Sequence, residues 1–133
     1  MKRTLSGLAL ALAALSPFLA SAAGADAALV KRGEYLARAA DCMACHTAEG
    51  GAPFAGGLPI QSPFGTIYGT NITPDKEHGI GAYSADEFFA ALTEGKRKDG
   101  AYLYPAMPYT SYHLIEREDA DAIYAYLMAQ EPI

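Results

Sequence analysis

The stretch Cys42-Met43-Ala44-Cys45-His46 carries the main information in this sequence. Two residues separate its cysteines and a histidine follows directly, which is the C-x-x-C-H attachment signature of a c-type haem. In one turn of helix, residues three and four positions apart lie on the same face. Cys42 and Cys45 are therefore predicted to form thioethers with the two haem vinyl groups, and His46 is predicted to be the proximal ligand of the iron.

Three other uses of these cysteines compete with haem attachment. A structural disulfide is common in exported proteins with an even number of cysteines, but so tight a loop is more typical of redox-active bridges. A thioredoxin-like redox pair needs a βαβ context, whereas the flanking sequence is helical in character. Zinc as a rule needs four ligands, and only His78 and His113 remain as further soft donors. The motif therefore favours haem c.

The other axial position of the iron has several candidate ligands: Met43, Met107, Met128, His78 and His113. Met43 lies inside the attachment motif and cannot swing to the far side of the porphyrin. Met128 falls at the end of a helix and is expected to pack in the core. Both histidines are expected to face solvent, since His78 lies in a polar stretch and His113 precedes the last helix.

Met107 is the predicted distal iron ligand. It lies 61 residues after His46, between Pro105 and Pro108. Each proline fixes φ, so we expect an extended, stiff segment that holds the thioether against the iron at low entropic cost. Histidine–methionine ligation raises the reduction potential relative to two histidines. With both axial positions filled, oxygen chemistry is suppressed and electron transfer remains.

The first 22 residues have the pattern of a secretory signal peptide. Lys2 and Arg3 precede a short apolar run that ends in small residues, with cleavage expected after about Ala22 or Ala23. The run is shorter than the roughly 20 residues that a membrane span needs. We therefore expect a periplasmic protein with a signal peptide at 1–22, a short flexible N-terminus at 23–28 and one domain at 29–130. Membrane association would come only through partners.

Length and charge exclude some classes of function. The 133 residues suffice for a single domain. The formal net charge of -5 at pH 7 argues against nucleic acid as a partner, because phosphates attract basic surfaces. The basic cluster at 96–98 is expected to be a solvated helix end that suits the negative helix terminus, with a docking patch for an acidic partner as the alternative.

Apolar spacing predicts three helices. The first covers 28–40, and Gly33 inside it suggests a close crossing with another helix, because glycine is otherwise costly there. Ser84 and Glu87 form a capping box that opens the second helix, which Gly95 is placed to end. The third covers 116–129.

Between the first two helices the chain is rich in Gly and Pro, and long structureless loops are uncommon unless something packs against them. We expect that surface to be the haem, lined by apolar residues of this loop: Leu58, Ile60, Phe64, Ile67, Tyr68 and Ile72. The predicted fold class is therefore all-α, a small set of helices wrapped around one covalently bound haem with long Gly/Pro-rich loops.

Taken together, the sequence resembles a class I cytochrome c from about residue 29 to residue 129. It is most similar to the haem c domains in cytochrome subunits of membrane-bound alcohol, gluconate and aldehyde dehydrogenases. The segments that carry this likeness are 33–38, 53–60, 63–68, 70–75 and 103–109. The resemblance implies the cytochrome c fold, with the first and last helices crossing, and an electron-transfer role beside a dehydrogenase.

Two features depart from that branch. Its subunits commonly carry three haem domains, whereas this sequence has one C-x-x-C-H and ends at Ile133. The chain is therefore expected to be either a free-standing monohaem carrier or subunit, or the first domain of a longer chain. The last helix also opens without the Ser or Thr cap usual there.

The resulting hypothesis is a periplasmic monohaem electron carrier rather than an enzyme. It would pass electrons from a dehydrogenase subunit to an acceptor, an oxidase or another cytochrome. The main alternative is a peroxidase-like or gas-binding haem protein in which Met107 is free or labile. A haem-free thiol oxidoreductase and a purely structural haem subunit are two further alternatives.

Overall fold

The computed structural model describes the backbone of residues 18–133 and the side chains from residue 26 onwards. The helices are α1 (Phe18–Ala39), α2 (Cys42–His46), α3 (Ala85–Glu94), α4 (Tyr109–Tyr112) and α5 (Arg117–Met128). Between α2 and α3 lie the strands β1 (Pro59–Ser62) and β2 (Gly65–Tyr68). Residues 1–17, which form most of the predicted signal peptide, lie outside the described residues.

Helix α1 begins earlier than the apolar spacing predicted. Its first residue is Phe18, so residues 23–28, which we expected to be flexible, are helical. This segment is rich in alanine, the residue with the highest helix propensity. The boundaries of the signal peptide and of the domain remain predictions.

Helix α1 crosses α5 at Gly33, in agreement with the expected close crossing. A Cβ atom built on Gly33 would overlap the carbonyl oxygen of Ala122 and would lie 2.7 Å from the Cβ of Tyr126. An ion pair between Arg32 and Asp119 joins the same two helices. The absence of a side chain at Gly33 therefore lets the two backbones touch.

Helices α3 and α5 begin and end within about one residue of their predicted bounds. Ser84 Oγ accepts the N–H of Glu87 at 3.2 Å, and the Glu87 carboxylate accepts the N–H of Ser84 at 2.7 Å, which completes the capping box. Gly95, with φ 66°, ends α3. Helix α5 follows Glu116, which forms no side-chain cap hydrogen bond. Its start thus lacks the local capping that fixes α3.

A β-hairpin corrects the all-α prediction. Strands β1 and β2 pair antiparallel from Pro59↔Tyr68 to Ser62↔Gly65, which leaves a two-residue turn. Ser62 Oγ donates to the Gly65 carbonyl at 2.7 Å and accepts the N–H of Phe64 at 3.2 Å. Gly65 has φ 122°, in the region that favours glycine. Strands of four residues are too short to show an alternating apolar pattern, so the sequence indicated a loop.

The loop between α2 and β1 is held by backbone hydrogen bonds and by one buried ring. The Gly56 N–H donates to the His46 carbonyl at 2.8 Å, and the Ile72 N–H donates to the Phe54 carbonyl at 2.9 Å. Phe54 has φ 61°, which is costly for a residue with a side chain. Its ring is only 2% exposed and meets the Tyr126 ring edge-on at 5.9 Å between centroids. Burial of the ring offsets the strained backbone.

The core is small and lies mainly among α1, α3 and α5. Its buried side chains are Ala37, Phe54, Ile80, Phe88, Leu92, Ala120, Ile123 and Leu127. Met128 packs against them and is partly buried, in line with its predicted position in the core. Domains with so little buried apolar surface commonly depend on a cofactor, metal or disulfide for stability.

We predict that Gly33→Ala lowers the free energy of unfolding by about 1–3 kcal/mol, because the added methyl group must push α1 away from α5. Guanidinium titration followed by circular dichroism measures the change. Ala28→Leu, which adds more volume at an exposed position of the same helix, should leave stability within about 0.5 kcal/mol. Equal stability of Gly33→Ala and the unaltered protein would contradict the close crossing.

Candidate haem site

One apolar cavity brings together the four residues that the sequence singled out. Cys42, Cys45 and His46 of α2 and Met107 of the segment before α4 all line it. Its empty volume is about 1050 Å³, part of which is open to solvent. Most of the remaining lining is aliphatic or aromatic, as expected for a site that takes a large apolar group.

Helix α2 sets the geometry of the C-x-x-C-H motif. Asp41, directly before it, has φ 56° and ψ 32°, a left-handed conformation that Asp tolerates better than most residues. This residue separates α1 from α2. Thr47 is extended and ends the helix. The five helical residues place positions i, i+3 and i+4 on one side, so that both cysteines and His46 meet the same cavity.

The two cysteines are free thiols, and they differ in burial. Cys42 is half-buried and Cys45 is exposed. Burial raises the pKa of Cys42 to about 11, with a smaller contribution from the nearby Asp41 carboxylate. Redox-active cysteines in C-x-x-C pairs have a lowered pKa instead. The environment of Cys42 thus differs from that of a thioredoxin-like pair.

His46 is oriented by a backbone carbonyl. Its Nδ1 lies 2.7 Å from the carbonyl oxygen of Thr70. Burial lowers the pKa of His46, and the hydrogen bond to Thr70 opposes that shift. The imidazole is then neutral at pH 7, and the carbonyl selects the tautomer with its proton on Nδ1. The lone pair on Nε2 is left available to a metal, the usual arrangement for a metal-binding histidine.

The segment around Met107 is a turn rather than the extended stretch that we predicted. The Met107 N–H donates to the Tyr104 carbonyl at 3.1 Å, and the Tyr109 N–H donates to the Met107 carbonyl at 2.9 Å. Pro105 occupies the second position of the first turn, where its fixed φ suits a type I or II turn. The prolines therefore restrict the backbone as expected, but they fold it back instead of extending it.

The other candidate axial ligands lie outside the cavity lining. Met43 is exposed on α2, and Met128 packs against the core. His78 is exposed, and so is His113, whose Nδ1 lies 2.6 Å from the Thr110 carbonyl. Among the described residues, no group of three or more His, Cys, Asp and Glu side chains could hold a metal ion.

The loop lining agrees with the prediction at four of six positions: Ile60, Ile67, Tyr68 and Ile72. Leu58 does not line the cavity, and Phe64 lies at the hairpin turn with 89% of its surface exposed. Sequence reasoning missed the contribution of α3, of α5 and of the segments on either side of α3: Ile80, Phe88, Leu92, Leu103, Ile123 and Leu127. The spacing of the helical residues among them was visible, but it indicated only a buried face.

The basic cluster at 96–98 is engaged within the domain. Arg97 forms an ion pair with Asp99 at 2.8 Å, and Lys98 lies 3.5 Å from Glu87. The Lys98 ammonium also donates to the Ala82 carbonyl. These contacts favour a solvated helix end over a patch reserved for an acidic partner.

The chain belongs to the cytochrome c family, whose model matches residues 30–131. It is 60% identical over 121 residues to the gluconate 2-dehydrogenase cytochrome c subunit of Pantoea cypripedii. It is 58% identical over 120 residues to the cytochrome c subunit of the quinone alcohol dehydrogenase of Gluconobacter oxydans. These alignments cover 91% and 90% of this chain but only 27% and 25% of the relatives.

A more distant relative is the diheme cytochrome c-type protein of Cereibacter sphaeroides, 35% identical over 106 residues, which are 76% of this chain and 36% of that protein. The chain thus spans about a quarter of the dehydrogenase subunits and about a third of the diheme protein. Among the described helices, none is long and apolar enough to cross a membrane.

The residues of the cavity fit the covalent haem that the cytochrome c family implies. Two thiols and an imidazole project from one helical turn, a thioether comes from a second segment, and the walls are apolar. These donors match the thioether attachment and the histidine and methionine axial ligands of c-type haem.

The contact of Gly69 with α2 gives a prediction for the site. A Cβ on Gly69 would overlap the carbonyl oxygen of Cys45, so the loop that carries Thr70 can approach α2 only with glycine there. Gly69→Ala should lower the free energy of unfolding by about 1–3 kcal/mol and reduce the yield of haem-loaded protein. Denaturant titration and the Soret absorbance per chain measure both effects.

Gly51→Ala is the matched control, because neither glycine has a positive φ and a Cβ on Gly51 would lie no closer than 3.1 Å to its neighbours. It should be close to the unaltered protein in both measurements. If both variants lost the same free energy of unfolding and the same yield of haem-loaded protein, the close approach of Gly69 to Cys45 would not be the cause.

Proposed function

We propose that this chain is a periplasmic monohaem c-type cytochrome that carries single electrons from a dehydrogenase towards a respiratory acceptor. One observation carries the proposal: Cys42, Cys45, His46 and Met107 line the same apolar cavity. The bound haem would supply a one-electron iron couple. The protein would be an electron-transfer component and not the catalytic subunit.

Each of the four residues has a distinct role in this proposal. Cys42 and Cys45 tether the haem through thioethers, and the motif occurs once in the sequence, which supports a single haem. His46 would hold the iron through Nε2, with Nδ1 fixed by the Thr70 carbonyl. Met107 would supply a second protein ligand to the iron and would keep small ligands away from it.

The apolar walls have a further role, since they exclude water from the site. A low-dielectric environment disfavours the form with the higher net charge. Together with methionine ligation, this favours the ferrous state and a raised reduction potential. Such a potential suits a carrier that accepts electrons from an organic substrate's dehydrogenase.

Partner and location are proposed from the relatives and from the N-terminal sequence. Relatives named as cytochrome c subunits of gluconate 2-dehydrogenase and of quinone alcohol dehydrogenase support a dehydrogenase subunit as electron donor. An oxidase or another cytochrome would be the acceptor. Export by the signal peptide at 1–22 would place the protein in the periplasm, with membrane contact through partners only.

Haem attachment is tested with Cys42→Ala, Cys45→Ala and the double variant, produced in cells competent in cytochrome c maturation. We expect the unaltered chain to keep one haem after acid–acetone extraction. In the pyridine haemochrome spectrum, each single variant should show the shift caused by one unreacted vinyl group, and the double variant should retain no covalent haem. Met43→Ala, inside the same motif, should behave as the unaltered protein.

Two results for the unaltered protein would contradict the proposal. One is the absence of any haem, extractable or covalent, and the other is a mass that shows a Cys42–Cys45 disulfide. Either result would favour the thiol oxidoreductase instead.

The ligand role of Met107 is tested by Met107→Ala. The reduced unaltered protein should not bind carbon monoxide. Reduced Met107→Ala should bind it, because the coordination position on the iron that Met107 would fill is then open. The weak sulfur-to-iron band of the oxidised protein should disappear in the variant, and the reduction potential should fall. Met43→Ala, which removes an exposed methionine outside the cavity, is the control.

Carbon monoxide binding by the reduced unaltered protein, to the same extent as by Met107→Ala, would show an open sixth position. The peroxidase-like or gas-binding alternative would then replace electron transfer.

A further inference from the structure

The side chain of Asn71 joins two parts of the chain that are distant in sequence. Its Oδ1 accepts the N–H of Thr73 at 2.8 Å, and its Nδ2 donates to the carbonyl of Ile133. The Ile133 N–H in turn donates to Thr73 Oγ1 at 3.2 Å. Asn71 thus lies at the centre of a small network between the loop after β2 and residues 131–133.

The backbone of Ile133 takes part in this network through both its N–H and its carbonyl. Its side chain is only partly buried, with 45% exposed. Thr73, by contrast, is 0% exposed, and its carbonyl accepts the Ile80 N–H at 2.9 Å. Thr73 is therefore a fixed point against which the Asn71 side chain and the backbone of Ile133 are both positioned.

Asn71 is also covalently coupled to the hydrogen-bond acceptor of His46. The Thr70 carbonyl that lies 2.7 Å from His46 Nδ1 belongs to the peptide group that joins Thr70 to Asn71. A peptide group is planar, so the Thr70 carbonyl oxygen and the Asn71 nitrogen move together when this peptide plane rotates. The contacts of the Asn71 side chain therefore restrain the direction of the hydrogen bond to His46.

The hydrogen bond on Nδ1 has a chemical consequence at Nε2. A carbonyl that accepts the Nδ1 proton raises the basicity of the ring and fixes its tautomer and orientation. A more basic imidazole stabilises the ferric iron relative to the ferrous iron. The strength of the Thr70–His46 hydrogen bond therefore tunes the reduction potential of an iron held by His46.

We propose that Asn71 is a positioning residue for His46, and that residues 131–133 act on the iron through Asn71. Displacement of Ile133 from Asn71 loosens the Thr70 carbonyl, weakens its hydrogen bond to His46 and raises the reduction potential. This inference rests on the proposed function, since it takes His46 to be the proximal ligand of a bound haem.

The test compares three variants of the haem-loaded protein. Asn71→Ala removes both side-chain hydrogen bonds. Ile133→Pro removes only the N–H that donates to Thr73 and keeps the carbonyl. Gln130→Ala is the matched control, because Gln130 Nε2 donates at 2.8 Å to the Tyr126 carbonyl of α5, near the same segment, and not to Asn71 or Thr73.

Two measurements report on the site rather than on overall folding. The first is the rate at which the His46 Nδ1 proton exchanges with D₂O, followed by proton NMR of the reduced protein. Asn71→Ala should exchange roughly five- to tenfold faster, the factor that corresponds to one hydrogen bond of ordinary net strength. The second is the reduction potential, which should rise in Asn71→Ala and, by less, in Ile133→Pro, and should not change in Gln130→Ala.

Exchange rates and potentials of Asn71→Ala equal to those of Gln130→Ala would overturn the role of Asn71. A change in Asn71→Ala with no change in Ile133→Pro would support Asn71 but overturn the action of residues 131–133. If Asn71→Ala does not accumulate with haem, the test rests on Ile133→Pro. An unchanged His46 Nδ1 exchange rate and an unchanged reduction potential in Ile133→Pro then overturn the proposal. Unaltered protein whose His46 signals show no effect of a bound haem contradicts the proposed function itself, before any variant is made.

Discussion

Backbone lies against backbone where α1 crosses α5, because Gly33 has no side chain and the Ala122 carbonyl occupies the space that a methyl group would need. This contact joins the N-terminal and C-terminal helices, and the segments between them close around one cavity. Five of the eight core residues also line that cavity: Ile80, Phe88, Leu92, Ile123 and Leu127. Apolar surface left in water costs free energy in proportion to its area. An apolar group that fills the cavity would therefore remove further apolar surface of the domain from water.

The candidate site draws its residues from two parts of the chain. Helix α2 places Cys42, Cys45 and His46 beside the cavity, and the Thr70 carbonyl lies 2.7 Å from His46 Nδ1. Met107 comes from a different segment, a turn in which its N–H donates to the Tyr104 carbonyl and its carbonyl accepts the Tyr109 N–H. Asn71, whose backbone nitrogen shares a peptide group with the Thr70 carbonyl, is not among the residues that line the cavity.

Much of the architecture could be predicted from local signals. The capping box at Ser84, the αL glycine at Gly95 and the crossing glycine at Gly33 each depend on residues close in sequence or on a steric requirement that only glycine meets. The hairpin, the early start of α1 and the turn at Met107 were not predicted, because strand pairing and loop direction depend on distant partners. Phe64 is an example of what local signals cannot predict. Its side chain is apolar, yet its position in the turn after β1 leaves it exposed and outside the cavity lining.

By itself the sequence predicted which residues form the candidate site, since the spacing of Cys42, Cys45 and His46 within one helical turn requires no knowledge of the rest of the fold. It also predicted α3, α5 and the C-terminal half of α1. The family resemblance agrees with the cytochrome c family model, which matches residues 30–131. Only the tertiary structure brought Met107 into the same cavity as His46, selected the Thr70 carbonyl as the acceptor for Nδ1, and joined Ile133 to Asn71. Every residue has a backbone carbonyl, so residue type does not indicate which carbonyl will accept a given hydrogen bond. Contacts between distant segments form only when the chain packs around its core.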